Sequence, residues 1–269
     1  MMGPSHALSG AAVWLTGSLA LDHFAHYHQH PVAIAVGTAM CAGGALLPDM
    51  DLSGRVTSDK GGATVAHTFG VASLFVAEVV EKISLGVYNL TSMRRDPHRE
   101  NGHRTLTHTL PFTAGVGFGV FELCVRGGRW AVLGVLFFTF AMALRGMFQR
   151  WATRAGWLLV TLAAAAATFG GYEFLPAGRG YPVLGLAIGV GCLVHILGDM
   201  LTSHGCPIFW PIPTGRRMWR CVGLPDGFSV KVGGRVERYV LRGFFWVVSL
   251  LAAAGLLAPT VIDRFNIQV

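Results

Sequence analysis

Residues 31–51 read PVAIAVGTAMCAGGALLPDMD, an apolar run that stops at two carboxylates one residue apart. The run up to Leu47 can cross a membrane, and its many small residues suit close packing inside a helical bundle. Charged groups near lipid are costly, so Asp49 and Asp51 need a physical reason to lie there. Either the helix ends at Pro48 and the acids are simply solvated, or both acids belong to a site. This stretch alone leaves both interpretations open.

The composition of the whole chain is that of an integral membrane protein. Its 269 residues are 52% hydrophobic and 13% charged, with a mean hydropathy of +0.52. Soluble domains carry about 25% charged residues, so this chain has about half the usual charge. The length suits one helical bundle, and we predict a single all-α, polytopic membrane domain over residues 1–269. The five cysteines form no CxxC pair, which argues against a disulfide framework.

Seven segments are long and apolar enough to be predicted as membrane spans. They cover approximately residues 7–21, 31–47, 106–125, 130–148, 156–175, 181–201 and 243–261. An eighth stretch, 63–90, is apolar in places but also carries His67, Glu78, Glu81 and Lys82. It is either a further span or an amphipathic helix lying at the membrane interface.

The basic residues favour the interfacial interpretation of 63–90. If that stretch does not span, the loops 48–105, 145–155 and 202–242 share one face, here called side A. Side A then holds all 21 Lys and Arg residues except Arg126, Arg129, Arg179 and Arg264. Cytoplasmic loops are enriched in such residues, so we predict that side A and the N-terminus are cytoplasmic. The opposite face is called side B.

Side A also collects histidines and acids from four distant segments. They include GHRTLTHTL at 102–110 and HILGDMLTSHG at 195–205. The residues concerned are His6, Asp49, Asp51, His103, Arg104, His108, His195, Asp199 and His204. An eight-span topology would separate them, whereas seven spans bring them to one membrane depth. This convergence indicates a shared site more specifically than any single motif does.

The spacings within these motifs favour a metal site. His195 and Asp199 are four residues apart, so they share one face of a helix. His103 and His108 can both be ligands only if a helix begins between them, with Thr105 or Thr107 as its N-cap. Nitrogen and carboxylate ligands without thiolates favour zinc, with manganese or iron as alternatives. The number of candidates allows one or two divalent ions.

Two further polar features lie outside this set. The segment LDHFAHYHQHP on side B holds Asp22, His23, His26, His28 and His30, which are either interfacial residues or a peripheral cation site. The loop 202–242 mixes basic and aromatic residues, a mixture that suits a membrane surface with anionic headgroups. Such a mixture also occurs in nucleic-acid binding proteins, but the membrane context makes nucleic acid the less favoured partner.

The motifs GALLPDMD, GHRTLTHTL and HILGDMLTSHGCPIFWP, together with His6, resemble the YdjM family of membrane-bound metal-dependent hydrolases. One member of that family is described as LexA-regulated. The resemblance extends from the N-terminus to about residue 240 and implies a location in the bacterial cytoplasmic (inner) membrane. It also implies a polar signature of His6, Asp49, Asp51, His103, His108, His195 and Asp199. Glu237, in GGRVERYV, extends this signature, whereas Leu52 stands where the family often has another His or Asp.

These observations predict a membrane-embedded, metal-dependent hydrolase with a phosphoesterase-like reaction at the cytoplasmic face. The expected substrate is a phospholipid or another amphiphilic, phosphate-bearing molecule, hydrolysed by metal-activated water. The candidate catalytic residues are Asp51, Arg104 and His108, and the metal-ligand candidates are the seven signature residues above. Further candidates are His204, Glu237, Arg216 and Arg217. The alternatives are a transporter of ions, protons or small solutes that uses the same cluster, and an interaction module that needs metal only to fold.

Overall fold

The structure, a computed structural model, describes residues 1–52, 68–69, 71–175 and 180–265. These residues form eight α-helices: α1 Gly3–Ala25, α2 Pro31–Gly44, α3 Val71–Thr91, α4 Leu110–Arg126, α5 Gly128–Met147, α6 Gln149–Phe174, α7 Gly180–Met200 and α8 Arg242–Phe265. Two 3-10 turns, Pro48–Asp51 and Leu106–His108, and a π-helical segment, Val236–Leu241, complete the helical structure. The described residues contain isolated β-bridges but no strand. The predicted all-α class is confirmed.

Five helical segments of the described chain are long and apolar enough to cross a membrane. They are Pro31–Asp51, Gly128–Met147, Gln149–Phe174, Tyr181–Met200 and Val236–Ala258. The helices α1 and α4 are not among them, although α1 packs against α2, α7 and α8, and α4 packs against α7. The membrane-helix bundle is therefore supported, while the exact count of seven spans stays a prediction.

Two helix starts differ from the sequence prediction. The helix α4 begins at Leu110, after both histidines, because Thr109 is its N-cap and accepts a 3.3 Å hydrogen bond from the Phe112 N–H. A 3-10 turn, Leu106–His108, does begin between the two histidines, and Thr105 is at its N-cap position, as predicted, but without a side-chain capping hydrogen bond. Thr107 lies inside this turn and donates its hydroxyl to Asp51 instead of capping a helix. The helix α6 begins at Gln149 rather than at 156, with a break at Gly156, whose φ is +78°.

The helix α3 lies against the 3-10 turns rather than inside the bundle. Its inward face is small or polar, with Ala77, Glu81, Ser84 and Tyr88 buried. Its outward face is apolar and exposed, as expected for a helix that lies in a membrane interface. The exposed apolar residues are Val71, Phe75, Val76, Val79, Ile83 and Leu90.

The chain around α3 begins and ends at one face of the bundle. Asp51 and His103 are joined by a 2.8 Å hydrogen bond, and Glu81 in α3 accepts a 3.0 Å bond from the Gly102 N–H. A single crossing by α3 would carry these partners to opposite faces, so the arrangement favours the predicted interfacial helix. Part of the predicted stretch 63–90, namely residues 63–67 and 70, lies outside the described residues.

Glycines let α2 and α7 approach closely at the centre of the bundle. A Cβ atom on Gly44 would lie 2.8 Å from the Ile188 Cα, and one on Gly191 would clash with the Cys41 carbonyl oxygen. Small residues allow this backbone contact between membrane helices. The contact also positions the site, because the Ala45 carbonyl lies 2.7 Å from His195 Nδ1.

Gly191→Ala is expected to destabilise the protein by about 1–3 kcal/mol, because the added methyl group must push α2 and α7 apart. The matched control is Gly134→Ala in α5, where a Cβ would meet no other atom within 4 Å. Thermal unfolding of the purified protein in detergent measures the difference. Equal melting temperatures for the two variants would contradict the close-packed α2–α7 contact.

Candidate metal centre

Four segments bring histidine and aspartate side chains to one buried cluster. The start of α1 supplies one histidine, the 3-10 turn after α2 two acids, the segment before α4 two histidines, and the end of α7 one histidine and one acid. Of these, His6, Asp49, Asp51, His108, His195 and Asp199 are buried. His103 is partly exposed at the edge of the cluster. Two separate groups of three have donor atoms close enough to hold an ion: His6, His195 and Asp199, and Asp49, His103 and His108.

The centre of the cluster is a ring of two imidazoles and two carboxylates. The Nε2 atoms of His108 and His195 lie 3.2 Å apart. Asp49 Oδ1 lies 3.8 Å from the first of these nitrogens and 3.6 Å from the second. Asp199 Oδ2 lies 3.7 Å from the His108 nitrogen and 3.8 Å from the His195 nitrogen. Each carboxylate oxygen thus approaches both of the facing nitrogens, and the four donor atoms come from three segments.

These separations fit a divalent metal ion. Zinc–nitrogen and zinc–carboxylate bonds of about 2.0–2.2 Å place the neighbouring ligand atoms of a tetrahedral ion about 3.3–3.6 Å apart. The ring separations of 3.2–3.8 Å span that value. The donors are imidazoles and carboxylates with no thiolate, which suits zinc, manganese or iron. The residues present therefore fit the predicted metal, although they do not identify it.

Hydrogen bonds on the outer nitrogens turn both central imidazoles toward the ring. His195 Nδ1 donates to the Ala45 carbonyl at 2.7 Å, and His108 Nδ1 lies 2.9 Å from the Thr107 hydroxyl. With a proton on each Nδ1, the two Nε2 atoms are lone-pair donors that face each other. Facing lone pairs repel unless a cation lies between them, and metal-binding histidines are commonly held by such outer hydrogen bonds.

His6 extends the cluster on the α1 side. Its ring stacks on His195 with 3.7 Å between the centroids, and its Nε2 lies 3.3 Å from Asp199 Oδ1. The same Nε2 is 3.0 Å from the Met1 carbonyl, and the Met1 ammonium contacts the Asp199 carboxylate. The His6 Nδ1 is buried and has no hydrogen-bond partner among the described residues.

Asp51 is held differently from Asp49, although the two acids are only two residues apart. Its Oδ1 pairs with His103 Nδ1 at 2.8 Å. Its Oδ2 accepts hydrogen bonds from the Thr107 hydroxyl at 2.6 Å and from the Arg104 backbone N–H at 3.1 Å. Asp51 therefore braces the segment that carries His103 and His108, while Asp49 faces the ring.

The two histidines before α4 have opposite electrostatic environments. Burial by itself lowers the pKa of His103, but the Asp51 carboxylate outweighs burial and raises the pKa above its ordinary value. Burial lowers the pKa of His108 well below its ordinary value, and the nearby His195 and His103 add to that effect. The lowered pKa favours the neutral form of His108, which is the form that binds metals.

Arg104 joins the ring to the edge of the site. Its Nη2 lies 2.8 Å from Asp199 Oδ2, and its Nη1 lies 3.4 Å from the Thr202 hydroxyl. The residue has a φ of +56°, which is uncommon for a side chain other than glycine. This left-handed conformation directs the backbone N–H to Asp51 while the guanidinium reaches Asp199.

A family comparison agrees with the polar signature. The family described as YdjM inner membrane protein matches residues 1–264. The chain belongs to the YdjM family. YdjM is an inner membrane protein family, so the predicted location in that membrane is confirmed together with the resemblance. No curated protein and no solved structure matches the chain.

Several predicted site residues of this YdjM protein lie outside the ring. Glu237 is buried, but its carboxylate accepts hydrogen bonds from the Met2 and Gly233 N–H groups, both at 2.6 Å. His204 is exposed after α7. Arg216 and Arg217 line a different pocket. On side B, Asp22 and His28 are hydrogen-bonded at 2.7 Å, but no three-ligand group occurs there among the described residues.

Sequence reasoning missed the groups that orient the ligands. Thr107 bridges Asp51 and His108, and Thr202 lies between Arg104 and the Asp199 carbonyl, to which it donates at 2.7 Å. Both threonines lie inside the quoted YdjM motifs, within a few residues of a ligand candidate. That closeness in sequence could have identified them as hydrogen-bond partners of the ligands. The Ala45 carbonyl could not be predicted as the hydrogen-bond partner of His195, because every residue type has a backbone carbonyl.

Proposed function

We propose that this protein is a membrane-embedded, metal-dependent hydrolase that acts on a phosphoester of an amphiphilic substrate at the cytoplasmic face. The observation that carries the proposal is the buried ring of His108, His195, Asp49 and Asp199 beside the cationic Arg104. A divalent ion held there, zinc in the first instance, would act as a Lewis acid and lower the pKa of a bound water toward neutrality.

The four ring residues would hold one ion, and the remaining histidines allow a second. His6 and His103 each belong to a group of three donors that shares residues with the ring. Asp51 would act by holding His103 and, through Thr107, the His108 imidazole in the orientation that directs its Nε2 inward. If only one ion is held, His103 at the partly exposed edge is free to donate its Nε2 proton to a leaving group.

Arg104 is the group best suited to a phosphate. A guanidinium donates parallel hydrogen bonds to phosphate oxygens and stays charged at any physiological pH. Arg104 already lies beside Asp199 at the ring and is partly exposed. It would therefore bind the substrate's phosphate and stabilise the negative charge that develops in the transition state.

An apolar groove beside the ring supports an amphiphilic substrate. A groove of about 790 Å³ runs between α4 and α7, lined almost entirely by apolar side chains. Its lining includes Leu110, two residues after His108, and Leu193, two residues before His195. One end of the groove therefore lies at the level of the metal ligands along α4 and α7. An acyl chain in the groove would present a phosphate to the site from the membrane side.

The same geometry favours catalysis over transport. A path for ions or protons needs ionisable groups through the bundle. The buried side chains that follow the site along α2 and α7 are apolar, with Met40, Cys41, Ile188 and Cys192 in the core. We therefore do not extend the proposal to a transporter.

The proposed reaction is tested with phospholipids and a soluble phosphomonoester. We expect the purified protein to release headgroup or phosphate from a long-chain lipid, and a chelator to stop the release. Ala114→Trp fills the groove from α4, where Ala114 is exposed. If the tryptophan keeps only two methylene groups of the acyl chain out of the groove, the lipid loses about 1.6 kcal/mol of binding free energy. KM for the long-chain lipid should therefore rise more than about tenfold.

The control for this variant is Ala166→Trp on α6, an exposed position outside the groove. It should leave KM for the lipid unchanged. The soluble phosphomonoester should be hydrolysed equally by both variants, because it does not need the groove. Absence of chelator-sensitive release across the whole panel would contradict the hydrolase, whereas an equal effect of both tryptophans would contradict the groove alone.

A further inference from the structure

A second polar pocket on side A carries four arginines. This arginine pocket has a volume of about 320 Å³ and is lined by Arg95, Thr214, Arg216, Arg217 and Arg220. No acidic side chain lines it, and no ion pair within the described residues includes any of the four guanidinium groups. All four arginines are exposed, so water screens their mutual repulsion, but the concentration of positive charge around one cavity attracts an anion.

Hydrogen bonds hold the pocket in place, and they include backbone bonds to the neighbouring carboxylate of Asp96. The Thr214 N–H donates to the Arg217 carbonyl at 2.9 Å, and Gly215 between them has a φ of +69°. This tight turn presents Arg216 and Arg217. The carboxylate of Asp96 accepts backbone bonds from Met218 and Trp219, both at 3.1 Å, and from Met93 at 2.8 Å. Asp96 thus fastens the pocket wall beside Arg95.

An unsatisfied hydroxyl provides an independent indication of a ligand. The Thr214 Oγ1 atom is buried and has no hydrogen-bond partner among the described residues. A buried polar atom left without a partner typically costs about 1–3 kcal/mol, so such atoms usually have a ligand or water. Threonine hydroxyls and arginines are the groups that commonly surround a phosphate.

The surroundings of the pocket are those of a membrane interface. Trp210 and Trp219 are stacked, and both indole N–H groups donate to the Thr91 hydroxyl at the end of α3. Leu90, at the end of the apolar face of α3, is 87% exposed, and Ile212 in the pocket loop is 65% exposed. Aromatic and apolar residues beside arginines mark the headgroup level of a bilayer.

We infer that the arginine pocket binds a phosphate group, supplied by the headgroup of an anionic phospholipid. The site is separate from the metal centre, since none of the clustered His and Asp side chains lines it. The bound headgroup would fix α3 and the loop that follows α7 at the cytoplasmic surface. The inference does not rest on the proposed hydrolase activity and needs no metal.

Lipid retention by the full chain tests the inference. The purified protein in detergent is incubated with phosphatidylglycerol or phosphatidylcholine, with and without inorganic phosphate, and bound lipid is counted by native mass spectrometry. We expect retention of phosphatidylglycerol over phosphatidylcholine. Arg216→Gln/Arg217→Gln should weaken that retention about tenfold or more, because it removes two of the four guanidinium groups that would bond directly to the phosphate oxygens. Thr214→Val, which changes no charge, should weaken it several-fold.

The matched control is Arg150→Gln/Arg154→Gln in the first turns of α6, which removes the same charge from exposed positions of side A. This control should retain lipid as the unmodified protein does. Competition by inorganic phosphate alone, without lipid selectivity, would still support a phosphate site but assign it to the free ion. Equal retention by the pocket and control variants, or loss in both to the same extent, would overturn the inference.

Discussion

His195→Ala is expected to remove bound metal from the purified protein almost completely. The substitution deletes one of the two facing Nε2 donors and leaves only His108 and the two carboxylates in the ring. Substitution of a residue that merely supports a ligand costs about 10- to 100-fold in metal affinity, so loss of a ligand itself should exceed that. Inductively coupled plasma mass spectrometry of the dialysed protein gives the metal content per chain.

The matched control is His204→Ala, which removes a neighbouring but exposed histidine and should leave the metal content unchanged. Asp49→Asn preserves side-chain size while removing the charge, and it should also lose metal. A melting curve for each variant separates loss of metal from loss of fold. Metal content that stays unchanged in both His195→Ala and Asp49→Asn rules out the shared site.

The sequence predicted the helices whose signal is local. The apolar runs of α2, α5, α6, α7 and α8 are long enough for hydropathy to identify them, and each is a candidate span in the structure. The helix α1 has a polar residue at many positions, which lowers its hydropathy, whereas α4 is only 17 residues long and is too short to be identified as a span. Their place in the bundle depends on packing against neighbours, which hydropathy does not measure.

The meeting of the His and Asp residues was predictable because it follows from topology. Placing His6, Asp49, His108 and His195 at the ends of different helices on one face was enough to expect proximity. Roles within the cluster were not predictable. Asp49 and Asp51 lie on a 3-10 turn with about three residues per turn, so side chains two apart diverge by about 120°. One carboxylate consequently faces the ring and the other faces His103 and Thr107.

The basic loop after α7 shows the limit of reasoning from charge. Arg216 and Arg217 were natural candidates for a phosphate clamp at the metal, because they lie on the same face. The loop instead folds against the end of α3, where Trp219 and Trp210 share the Thr91 hydroxyl. Long-range docking of this kind depends on side-chain contacts between segments more than a hundred residues apart, which composition does not reveal.

Arg104→Ala is expected to lower kcat for the proposed phosphoester substrate by about 10²- to 10³-fold, the usual effect of removing one group that stabilises transition-state charge. The metal content should stay unchanged, because Asp199 keeps its contacts with His6 and with the ring. Arg104→Lys should recover only part of the activity, since an ammonium retains the charge but not the planar fork that binds two phosphate oxygens.

Arg150→Ala, at an exposed position in the first turn of α6, is the control for the loss of one positive charge and should leave kcat unchanged. Steady-state rates and metal content are measured on the same preparations, since the two readouts separate the roles of Arg104. Loss of metal together with activity would assign Arg104 to positioning Asp199, with which it pairs at 2.8 Å, rather than to the substrate. Full activity in Arg104→Ala would contradict both roles and leave the phosphate to other groups.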